Sequence, residues 1–378
     1  MDITIFGGGV AGAHLARELS DDGFQITLVD PKEYFEVPMA APRALVQPDF
    51  ARQSTMRYAD FLPGVKHVQA SLKTLKPATS GNAPIAEIVD SAGMVSDLTA
   101  GDLAVLCTGT AYGNPVLRAD RGSQTDRLAD FTSTHAQLKT AKSVLIIGGG
   151  PIGVEIAGEI IESMPGTKIT IAEMADRILA GTSAKAAKIA ADYLTRYGAR
   201  ILTRSRLNAD HGPSGPAIQG PGVARGDDGT EISYDAIIWC TGGRPNTGFM
   251  AEHFADALND QGRIRVDGNL LVAGQSGLMA IGDITDLDEN KMAWHVAGAV
   301  KTAASNIRAK AKGASADALK SYKPKTGDPT MVVTLGAQGG VAHLPLFGVT
   351  KWSWLIRNAK SAEMLVPKFR KMLGVGAG

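Results

Sequence analysis

The chain has 378 residues, of which 44% are hydrophobic and 20% charged, enough for two or three domains that each bury an ordinary core. Its 39 Lys and Arg residues nearly balance 38 Asp and Glu residues, and the resulting net charge of +1 argues against nucleic-acid binding. The two cysteines, Cys107 and Cys240, have neither Cys-x-x-Cys nor metal-ligand spacing. We therefore expect no disulfide framework, no dithiol relay and no bound metal.

The chain opens on a strand-like segment and lacks the basic region, apolar stretch and cleavage site of a secretory signal. Asp2 excludes N-myristoylation, which requires glycine at that position. The longest stretch without Asp, Glu, Lys or Arg, residues 329–350, has four glycines and an alternating β-branched pattern that predicts a strand pair, not a spanning helix. We expect a protein that is not secreted and is cytoplasmic or peripheral on the cytoplasmic face of a membrane.

A strand, a glycine-rich turn and a helix follow one another in residues 3–19. Gly7, Gly9 and Gly12 have the spacing at which the first glycine allows a tight turn, the second admits a pyrophosphate and the third lets helix and strand touch. The next strand ends at Asp30, whose carboxylate would accept hydrogen bonds from ribose hydroxyls. The segment therefore predicts a dinucleotide-binding unit.

Residues 144–160 repeat this pattern with Gly148, Gly150 and Gly153, and the following strand ends at Glu173. A carboxylate there favours the 2′-hydroxyl of NADH and repels the 2′-phosphate of NADPH. Arg177 could weaken that preference, although a solvated surface arginine is the simpler interpretation. We predict NADH as the preferred donor and NADPH as the alternative one. Two cradles imply two cofactors, most economically a bound flavin in the first and a visiting nicotinamide in the second.

The remaining segments complete the predicted architecture. Residues 84–104 predict a hairpin, residues 113–135 a polar irregular crossing, and a small-residue helix starts near Ala293. The predicted fold class is α/β, with two Rossmann-like dinucleotide-binding domains for FAD and NADH and a small α+β C-terminal module. The expected boundaries are 1–112 plus 247–320 for the FAD domain, 113–246 for the NAD(P)H domain and 321–378 for the module.

These motifs resemble the two-dinucleotide-domain flavoprotein disulfide-reductase superfamily over nearly the whole chain. The likeness includes Cys-Thr-Gly-Thr at residues 107–110, Cys-Thr-Gly-Gly-Arg-Pro-Asn at 240–246 and Ala-Ile-Gly-Asp-Ile at 280–284. Since the Cys-x-x-Cys pair is absent, the chain is similar to the branch that includes apoptosis-inducing-factor-like proteins, ferroptosis-suppressor quinone reductases and type II NADH dehydrogenases. The implied cofactor-binding residues within and beside these motifs are Thr108, Gly109, Gly242, Asp283, Lys291, Met292 and Ala293.

For several of these residues the resemblance implies a specific role. Asp283 would bind the ribityl hydroxyls of FAD, although a turn aspartate that caps the next segment is the alternative. Residues 291–293 would cover the pyrimidine end of the flavin ring. The Ala-Ala-Pro-Arg segment at residues 40–43 places Arg43 beside the FAD pyrophosphate, with a surface arginine as the alternative.

The resemblance also nominates catalytic residues. Glu155 would approach the nicotinamide and the flavin, unless it is a solvated acid favoured by the helix dipole. His295 is a candidate proton relay, against the alternative of a satisfied core histidine. Tyr-Lys-Pro at residues 322–324 and Asn-Ala-Lys-Ser at 358–361 look like the ferroptosis-suppressor C-terminal segment, which brings Lys360 to flavin and substrate. A basic surface residue is the alternative for Lys360.

Residues 351–378 contain six Lys or Arg residues and one acid, Glu363. Aromatic and aliphatic residues at helical spacing between these cations, before a predicted break at Pro367, suit peripheral contact with an anionic membrane. The alternative is packing on the protein's own core or on a dimer partner, and the expected state is a monomer or a homodimer.

The function implied by the resemblance is FAD-dependent NAD(P)H:quinone oxidoreduction, with hydride passing from NADH to FAD and electrons passing on to a ubiquinone-type acceptor. Two alternatives remain open. One is a reductase of a ferredoxin- or rubredoxin-type carrier protein. The other is an apoptosis-inducing-factor-like protein with a binding or signalling role.

Overall fold

The computed structural model of the chain describes residues 1–78, 84–119, 122–326, 330–344 and 348–376. Its strands are, in chain order, β1 (Asp2–Phe6), β2 (Gln25–Val29), β3 (Tyr34–Glu36), β4 (Thr55–Arg57), β5 (Lys66–Val68), β6 (Ala70–Lys76), β7 (Ile85–Asp90), β8 (Val95–Thr99), β9 (Leu103–Leu106), β10 (Thr110–Ala111), β11 (Ser143–Ile147), β12 (Lys168–Ala172), β13 (Arg200–Leu202), β14 (Leu207–Ala209), β15 (Gly222–Gly226), β16 (Glu231–Tyr234), β17 (Ala236–Trp239), β18 (Arg244–Pro245), β19 (Leu278–Ala280), β20 (Met331–Thr334), β21 (Gly340–Leu344) and β22 (Gly348–Thr350).

The helices are α1 (Val10–Leu19), α2 (Ala41–Val46), α3 (Phe50–Ser54), α4 (Tyr58–Phe61), α5 (Gln124–Thr140), α6 (Pro151–Ser163), α7 (Ala184–Arg196), α8 (Ala293–Ala311), α9 (Ser353–Ile356) and α10 (Val366–Met372). Short 3-10 turns lie at Pro38–Ala40, Gly248–Met250, Ala255–Ala257 and Ala316–Ala318, and a π-helical turn, Arg357–Ser361, follows α9.

A five-stranded parallel sheet in the order β19-β9-β1-β2-β5 organises the N-terminal part. Its central strand β1 is buried after Asp2 and apolar except for Thr4, as expected for a parallel sheet covered by helices on both faces. Because β19 comes from residues 278–280, this sheet draws on two distant parts of the chain. The strand order reverses beside β1, which is the position where open α/β sheets bind their ligands.

A four-stranded parallel sheet in the order β13-β12-β11-β17 repeats this arrangement in the middle of the chain. Its central strand β11 leads through the second glycine turn into α6, as β1 leads through the first into α1. The α/β class with two dinucleotide-binding sheets is therefore confirmed. The domain boundaries stay predictions.

Antiparallel strands form the smaller parts. The predicted hairpin over residues 84–104 corresponds to β7 and β8, which join β6 in a three-stranded sheet. After Tyr322 comes the sheet β20-β21-β22, followed by α9, the π turn and α10. The predicted strand pair over residues 329–350 thus proves to be three strands, and residues 329 and 345–347 lie outside the described part of the chain.

One local prediction is wrong, and a second is displaced by a few residues. The segment predicted as an irregular crossing contains most of α5, which begins at the Ser123 N-cap; the Ser123 hydroxyl and the Asp126 carboxylate form a capping box that satisfies the first free amides. The predicted break at Pro367 corresponds to a turn at residues 362–365, and Pro367 itself lies in the first turn of α10, where its missing N–H has no intrahelical partner to lose. Within the described residues, no helix is long and apolar enough to cross a membrane.

Candidate active site

A cavity of about 860 Å³ lies between the carboxyl ends of the two parallel sheets. Both glycine turns line it, at Gly9 and at Gly148 and Gly150. The C-terminal module forms a further wall through β20 and Lys360. Three parts of the chain that are distant in sequence therefore meet around one space.

The first glycine turn has the geometry that its spacing predicts. Gly7 has a φ of +99°, and a Cβ there would lie 2.5 Å from the carbonyl oxygen of Cys107. A Cβ on Gly12 would lie 1.8 Å from the carbonyl oxygen of Gly7, so helix and strand touch at this point. By contrast, no atom of the described residues comes within 4 Å of a Cβ placed on Gly9, which lines the cavity. Such an open glycine leaves room for a pyrophosphate beside the backbone.

The second turn repeats these relations. Gly148 has a φ of +109° beside the carbonyl of Cys240, and a Cβ on Gly153 would lie 2.0 Å from the carbonyl oxygen of Gly148. Gly150 is open to the cavity, with no described atom within 4 Å of its Cβ position. The N-termini of α1 and α6 thus both lie beside open backbone, which is an arrangement suited to anionic phosphates.

Each predicted ribose-binding acid accepts a hydrogen bond from the amide of the middle glycine in its own turn. Asp30 accepts from the Gly8 amide at 2.6 Å and from Lys32 Nζ at 2.9 Å. Glu173 accepts from the Gly149 amide at 2.7 Å and lines the cavity. Asp30, at 3% exposure, is enclosed by these partners. The ribose contacts of both acids stay predictions.

The residues expected around the flavin lie mainly on the cavity wall, which includes Gly109, Asp283, Lys291, Met292 and Ala293. Asp283 accepts from the Thr110 hydroxyl at 3.2 Å, and Lys291 Nζ donates to the Leu287 carbonyl at 2.9 Å. Burial, with a contribution from the nearby Arg263 charge, lowers the pKa of Lys291. The 19-residue helix α8 begins here, so its positive end adds to the electropositive character of this wall.

Thr108 lies at the edge of this site, where its hydroxyl donates to the Asn246 carbonyl at 2.6 Å. On the nucleotide side, Gly242 lines the cavity directly after Cys240 and Thr241. Burial raises the pKa of the Cys240 thiol to about 12 and that of Cys107 further. Neither cysteine is thus a thiolate at neutral pH, and the cavity offers no thiol nucleophile from these residues.

Glu155 and Lys360 form an ion pair on the cavity wall. Lys360 Nζ lies 2.5 Å from Glu155 Oε1 and 3.2 Å from the Val332 carbonyl, and Glu155 Oε1 also accepts from the Thr334 amide at 3.0 Å. The side chain of Lys360 is 9% exposed and that of Glu155 is 4% exposed. Neither is a solvated surface group. The structure therefore brings together the two catalytic candidates, one at the start of α6 and the other in the C-terminal π turn.

Arg43 lies elsewhere than predicted. Its guanidinium makes two hydrogen bonds to Glu159, at 2.7 and 2.8 Å, and donates to the carbonyls of Ser361 and Ala362. With the residue 2% exposed and outside the cavity lining, these contacts do not support the predicted position beside the FAD pyrophosphate. Neither do they support a surface arginine, because a bidentate partner in α6 holds this side chain in the interior.

His295 is also set back from the cavity. It is 7% exposed, its Nδ1 lies 2.8 Å from the Asn290 carbonyl oxygen, and it borders a small void behind Asp283 and Met292. This placement favours the core-histidine interpretation over the proton relay. Arg177 donates to the carbonyls of Ala180 and Thr182 on its own loop, as the surface interpretation anticipates.

Sequence reasoning missed several cavity residues. Arg206, in the loop between β13 and β14, lines the cavity next to Ser205, whose amide donates to the Glu173 carbonyl at 3.0 Å. Arg118 and Tyr112 line the flavin side, with the Arg118 guanidinium 5.5 Å from the Tyr112 ring centroid. Arg206 follows a parallel strand at its carboxyl end, and that position is the one signal that could have identified it. Arg118 comes from the crossing segment, whose pattern carries no such signal.

The C-terminal segment divides into a packed and an exposed part. The α10 residues Val366 and Phe369 are buried, and the Phe369 ring lies 5.8 Å from that of Phe35 between centroids. Trp352 and Trp354, beside and within α9, are 54% and 65% exposed. Helix α10 therefore packs on the protein's own core, and among the described residues 351–376 the exposed aromatic side chains are the two tryptophans.

Comparisons with known proteins agree with this geometry. Apoptosis-inducing factor homolog B of Dictyostelium discoideum is 27% identical over 358 residues, covering 90% of this chain and 89% of the relative. Ferroptosis suppressor protein 1 of Xenopus tropicalis is 27% identical over 382 residues, covering 98% and 96%. The solved structure of NDH2 from Plasmodium falciparum in complex with NADH superposes with a TM-score of 0.71 at 14% identity, covering 98% of this chain and 94% of that one.

A family model described as pyridine nucleotide-disulphide oxidoreductase matches residues 1–300. That match spans more than half of the chain and includes both glycine turns. The protein therefore belongs to the pyridine nucleotide-disulphide oxidoreductase family and is an oxidoreductase flavoprotein that binds FAD and a pyridine nucleotide.

Proposed function

We propose that this protein is an FAD-dependent NAD(P)H:quinone oxidoreductase. The observation that carries the proposal is the buried Glu155–Lys360 ion pair, which lies on the wall of the cavity between two open glycine turns. The similarity to ferroptosis suppressor protein 1 over 98% of the chain includes the segment that supplies Lys360.

Each part of the cavity has a distinct task in this proposal. The turn at Gly7–Gly12, together with Asp283 and residues 291–293, would hold FAD, which when bound supplies the redox chemistry between a hydride donor and a quinone. The turn at Gly148–Gly153, with Glu173 and Gly242, would hold the pyridine nucleotide. The chain would align donor and acceptor within one cavity, and such alignment replaces a slow encounter between separate molecules.

Lys360 would place a fixed positive charge where the acceptor binds. Because Glu155 and the Val332 carbonyl hold its ammonium group, the charge needs little reorganisation when negative charge develops on a quinone oxygen. In a wall of low exposure this interaction is stronger than it would be in water. Glu155 then acts as the residue that orients the lysine.

For the donor, we propose NADH in preference to NADPH. Glu173 lines the cavity with its carboxylate tied to the Gly149 and Ala175 amides, so its charge stays close to the adenosine ribose position. Arg206 is the cavity cation through which NADPH would be tolerated.

For the location, we propose peripheral membrane contact through Trp352 and Trp354, with Lys351 and Arg357 beside them. Exposed indole rings among cations suit the interface of an anionic bilayer. Since the same segment continues into the π turn that holds Lys360, a quinone would be collected close to its reaction site.

The experiment that tests the function is a stopped-flow acceptor panel with the FAD-loaded protein. NADH should bleach the yellow absorbance, and a short-chain ubiquinone analogue should restore it within a few turnovers. Lys360→Met should slow the quinone step about 100-fold, because one preorganised charge is lost. Lys371→Met, an exposed lysine of the same module, is the matched control and should change little.

The same panel separates the alternatives. Recovery with a ferredoxin or rubredoxin but with no quinone would replace the proposal by a carrier reductase. Slow recovery with every acceptor would favour a binding or signalling flavoprotein of the apoptosis-inducing-factor type. An equal effect of both lysine substitutions would remove Lys360 from the proposed mechanism.

A further inference from the structure

A row of acids on α6 connects the nucleotide-binding turn to the C-terminal module. Glu155, Glu159 and Glu162 are spaced by four and three residues and thus share one face of the helix. Glu155 accepts from the Thr334 amide at 3.0 Å, and Glu162 accepts from the Ala337 amide at 2.6 Å. Between them, a Cβ on Gly158 would lie 2.6 Å from Leu335 Cα, so helix and module are in direct backbone contact.

The middle acid of the row binds the module indirectly, through Arg43 of α2. The Arg43–Glu159 pair is bidentate and almost fully buried, with side-chain exposures of 3% and 1%. The pair therefore lies where the N-terminal part, the nucleotide-binding part and the C-terminal module meet.

The remaining donors of Arg43 bind the backbone next to Lys360. Arg43 donates to the Ser361 carbonyl at 2.8 Å and to the Ala362 carbonyl at 3.2 Å. Ser361 is fully buried, and its hydroxyl donates to the Ala337 carbonyl at 3.1 Å. The π turn that carries Lys360 is thus held at its Ser361 end by Arg43, in addition to the contact of the lysine ammonium group with Glu155. A π turn frees carbonyl groups from regular helix pairing, and a planar guanidinium can bind such groups while it binds a carboxylate.

From these contacts we infer that Arg43 and Glu159 are positioning residues for Lys360: the buried pair fixes the π turn so that the lysine ammonium reaches Glu155 and the cavity. The inference rests on the proposed function for its catalytic consequence, but the structural link between the pair and the turn stands without it.

A role in positioning explains the pair better than a role in general stability. Burying two charges costs desolvation that their attraction seldom exceeds, so well-packed apolar residues in their place are often equally stable. Removing one partner alone leaves an uncompensated buried charge. Such a variant loses stability, so a loss of activity could not be assigned to a displaced Lys360. The informative variant therefore removes both charges, as Arg43→Met with Glu159→Leu.

The chain supplies a matched control in the buried pair Arg127–Glu36. It has side-chain exposures of 2% and 8%, is also bidentate, and its arginine also donates to two backbone carbonyls, those of Pro115 and Val116. It differs in the segment that it holds, since those carbonyls belong to the crossing segment. Arg127→Met with Glu36→Leu thus repeats the chemical change away from Lys360.

The first measurement is hydrogen exchange by mass spectrometry on the FAD-loaded protein without substrates. The Ala362 amide donates to the Arg357 carbonyl at 3.1 Å and the Met364 amide to the Lys360 carbonyl at 2.7 Å. These amides should exchange at least tenfold faster in Arg43→Met/Glu159→Leu and remain protected in the control. Arg43→Lys keeps a cation for Glu159 but loses the fork, so it should also speed exchange in this turn. Unchanged exchange in the first double variant would overturn the inference.

The second measurement is a thermodynamic cycle with Lys360→Met. In the wild-type background the double substitution should lower kcat for quinone at least tenfold and leave the KM for NADH unchanged. In the Lys360→Met background it should lower kcat less than twofold, because residues that act through one another are not additive. An equal loss in both backgrounds would show a general structural role and overturn the inference. If the protein proves inactive with quinones, the proposed function fails while the exchange experiment still decides the link.

Discussion

Glu155 and Lys360 are separated by 205 residues, yet they share a hydrogen bond on the cavity wall. Each had a plausible interpretation as a solvated surface charge, because an acid in the first turns of a helix and a lysine in a basic tail are common surface features. Their burial removes that interpretation. The proposed function therefore depends on a pair of residues that neither local segment reveals.

Glu173 offers a direct test of donor preference. Glu173→Gln keeps a hydrogen-bond acceptor for the glycine turn but removes the charge that repels a 2′-phosphate. We expect the ratio of kcat/KM for NADH to that for NADPH to fall about tenfold, measured by steady-state kinetics with both donors. Asp176→Asn changes an exposed acid in the same loop and should leave the ratio unchanged. A ratio unaffected by Glu173→Gln would contradict the assignment.

Lys291 gives a prediction of pH dependence. Its pKa is lowered by burial, so it loses its proton at a lower pH than the ordinary lysine value of 10.5. The protonated form attracts the electronegative oxygens of a flavin more strongly than the neutral amine does. The affinity of the apoprotein for FAD should therefore fall as pH rises through this lowered pKa, as measured by FAD fluorescence titration. Lys291→Met should bind FAD more weakly at neutral pH, and its FAD affinity should no longer depend on pH in this way. Lys312→Met, at the far end of α8, should retain the pH dependence.

Within each glycine turn, the three glycines meet different structural requirements. Gly153 packs against the Gly148 carbonyl, whereas Gly150 faces the cavity with an ordinary φ of −69°. Gly153→Ala should lower the free energy of unfolding by about 1–3 kcal/mol because the added methyl has no space. Gly150→Ala should change it by less than about 0.5 kcal/mol but weaken NADH binding at least tenfold.

Urea denaturation and NADH titration of the two alanine variants test this difference. Similar stability losses in both would contradict the assignment of Gly150 to a ligand-facing position. Full NADH affinity in a stable Gly150→Ala variant would contradict it equally.

Deletion of the C-terminal module would affect the folding of the whole molecule. Because Met364, Phe369 and Leu373 are buried in the core beneath the first sheet, a deletion after Thr350 would expose apolar surface as well as remove Lys360. Such a deletion cannot separate membrane contact from folding. Point substitutions at the exposed tryptophans can.

We expect Trp352→Ser with Trp354→Ser to reduce partition onto phosphatidylserine-containing vesicles about tenfold, without a change in thermal stability. Cosedimentation with the vesicles measures the partition. Tyr197→Ser, at a 57% exposed aromatic of the nucleotide-binding part, serves as the control. Equal partition of all three proteins would remove the proposed membrane contact.

The two nucleotide-binding units could be predicted from the sequence because their determinants are local. Gly7 and Gly148 need a positive φ, Gly12 and Gly153 need close helix–strand contact, and each requirement is met within a few residues of chain. Apolar runs for buried parallel strands are likewise visible without any partner. The fold class and the two glycine-rich dinucleotide-binding turns could therefore be predicted from the local sequence pattern.

The contacts of Arg43, His295 and Lys360 depend on how distant segments of the chain pack together. No local periodicity relates Arg43 to Glu159 or Lys360 to Glu155, since these pairs depend on how α2, α6 and the C-terminal π turn pack together. Burial then determines the chemistry, because a charge removed from water must find a partner and the nearest one defines its role. The cavity wall that carries the proposed reaction is thus a product of packing between distant segments.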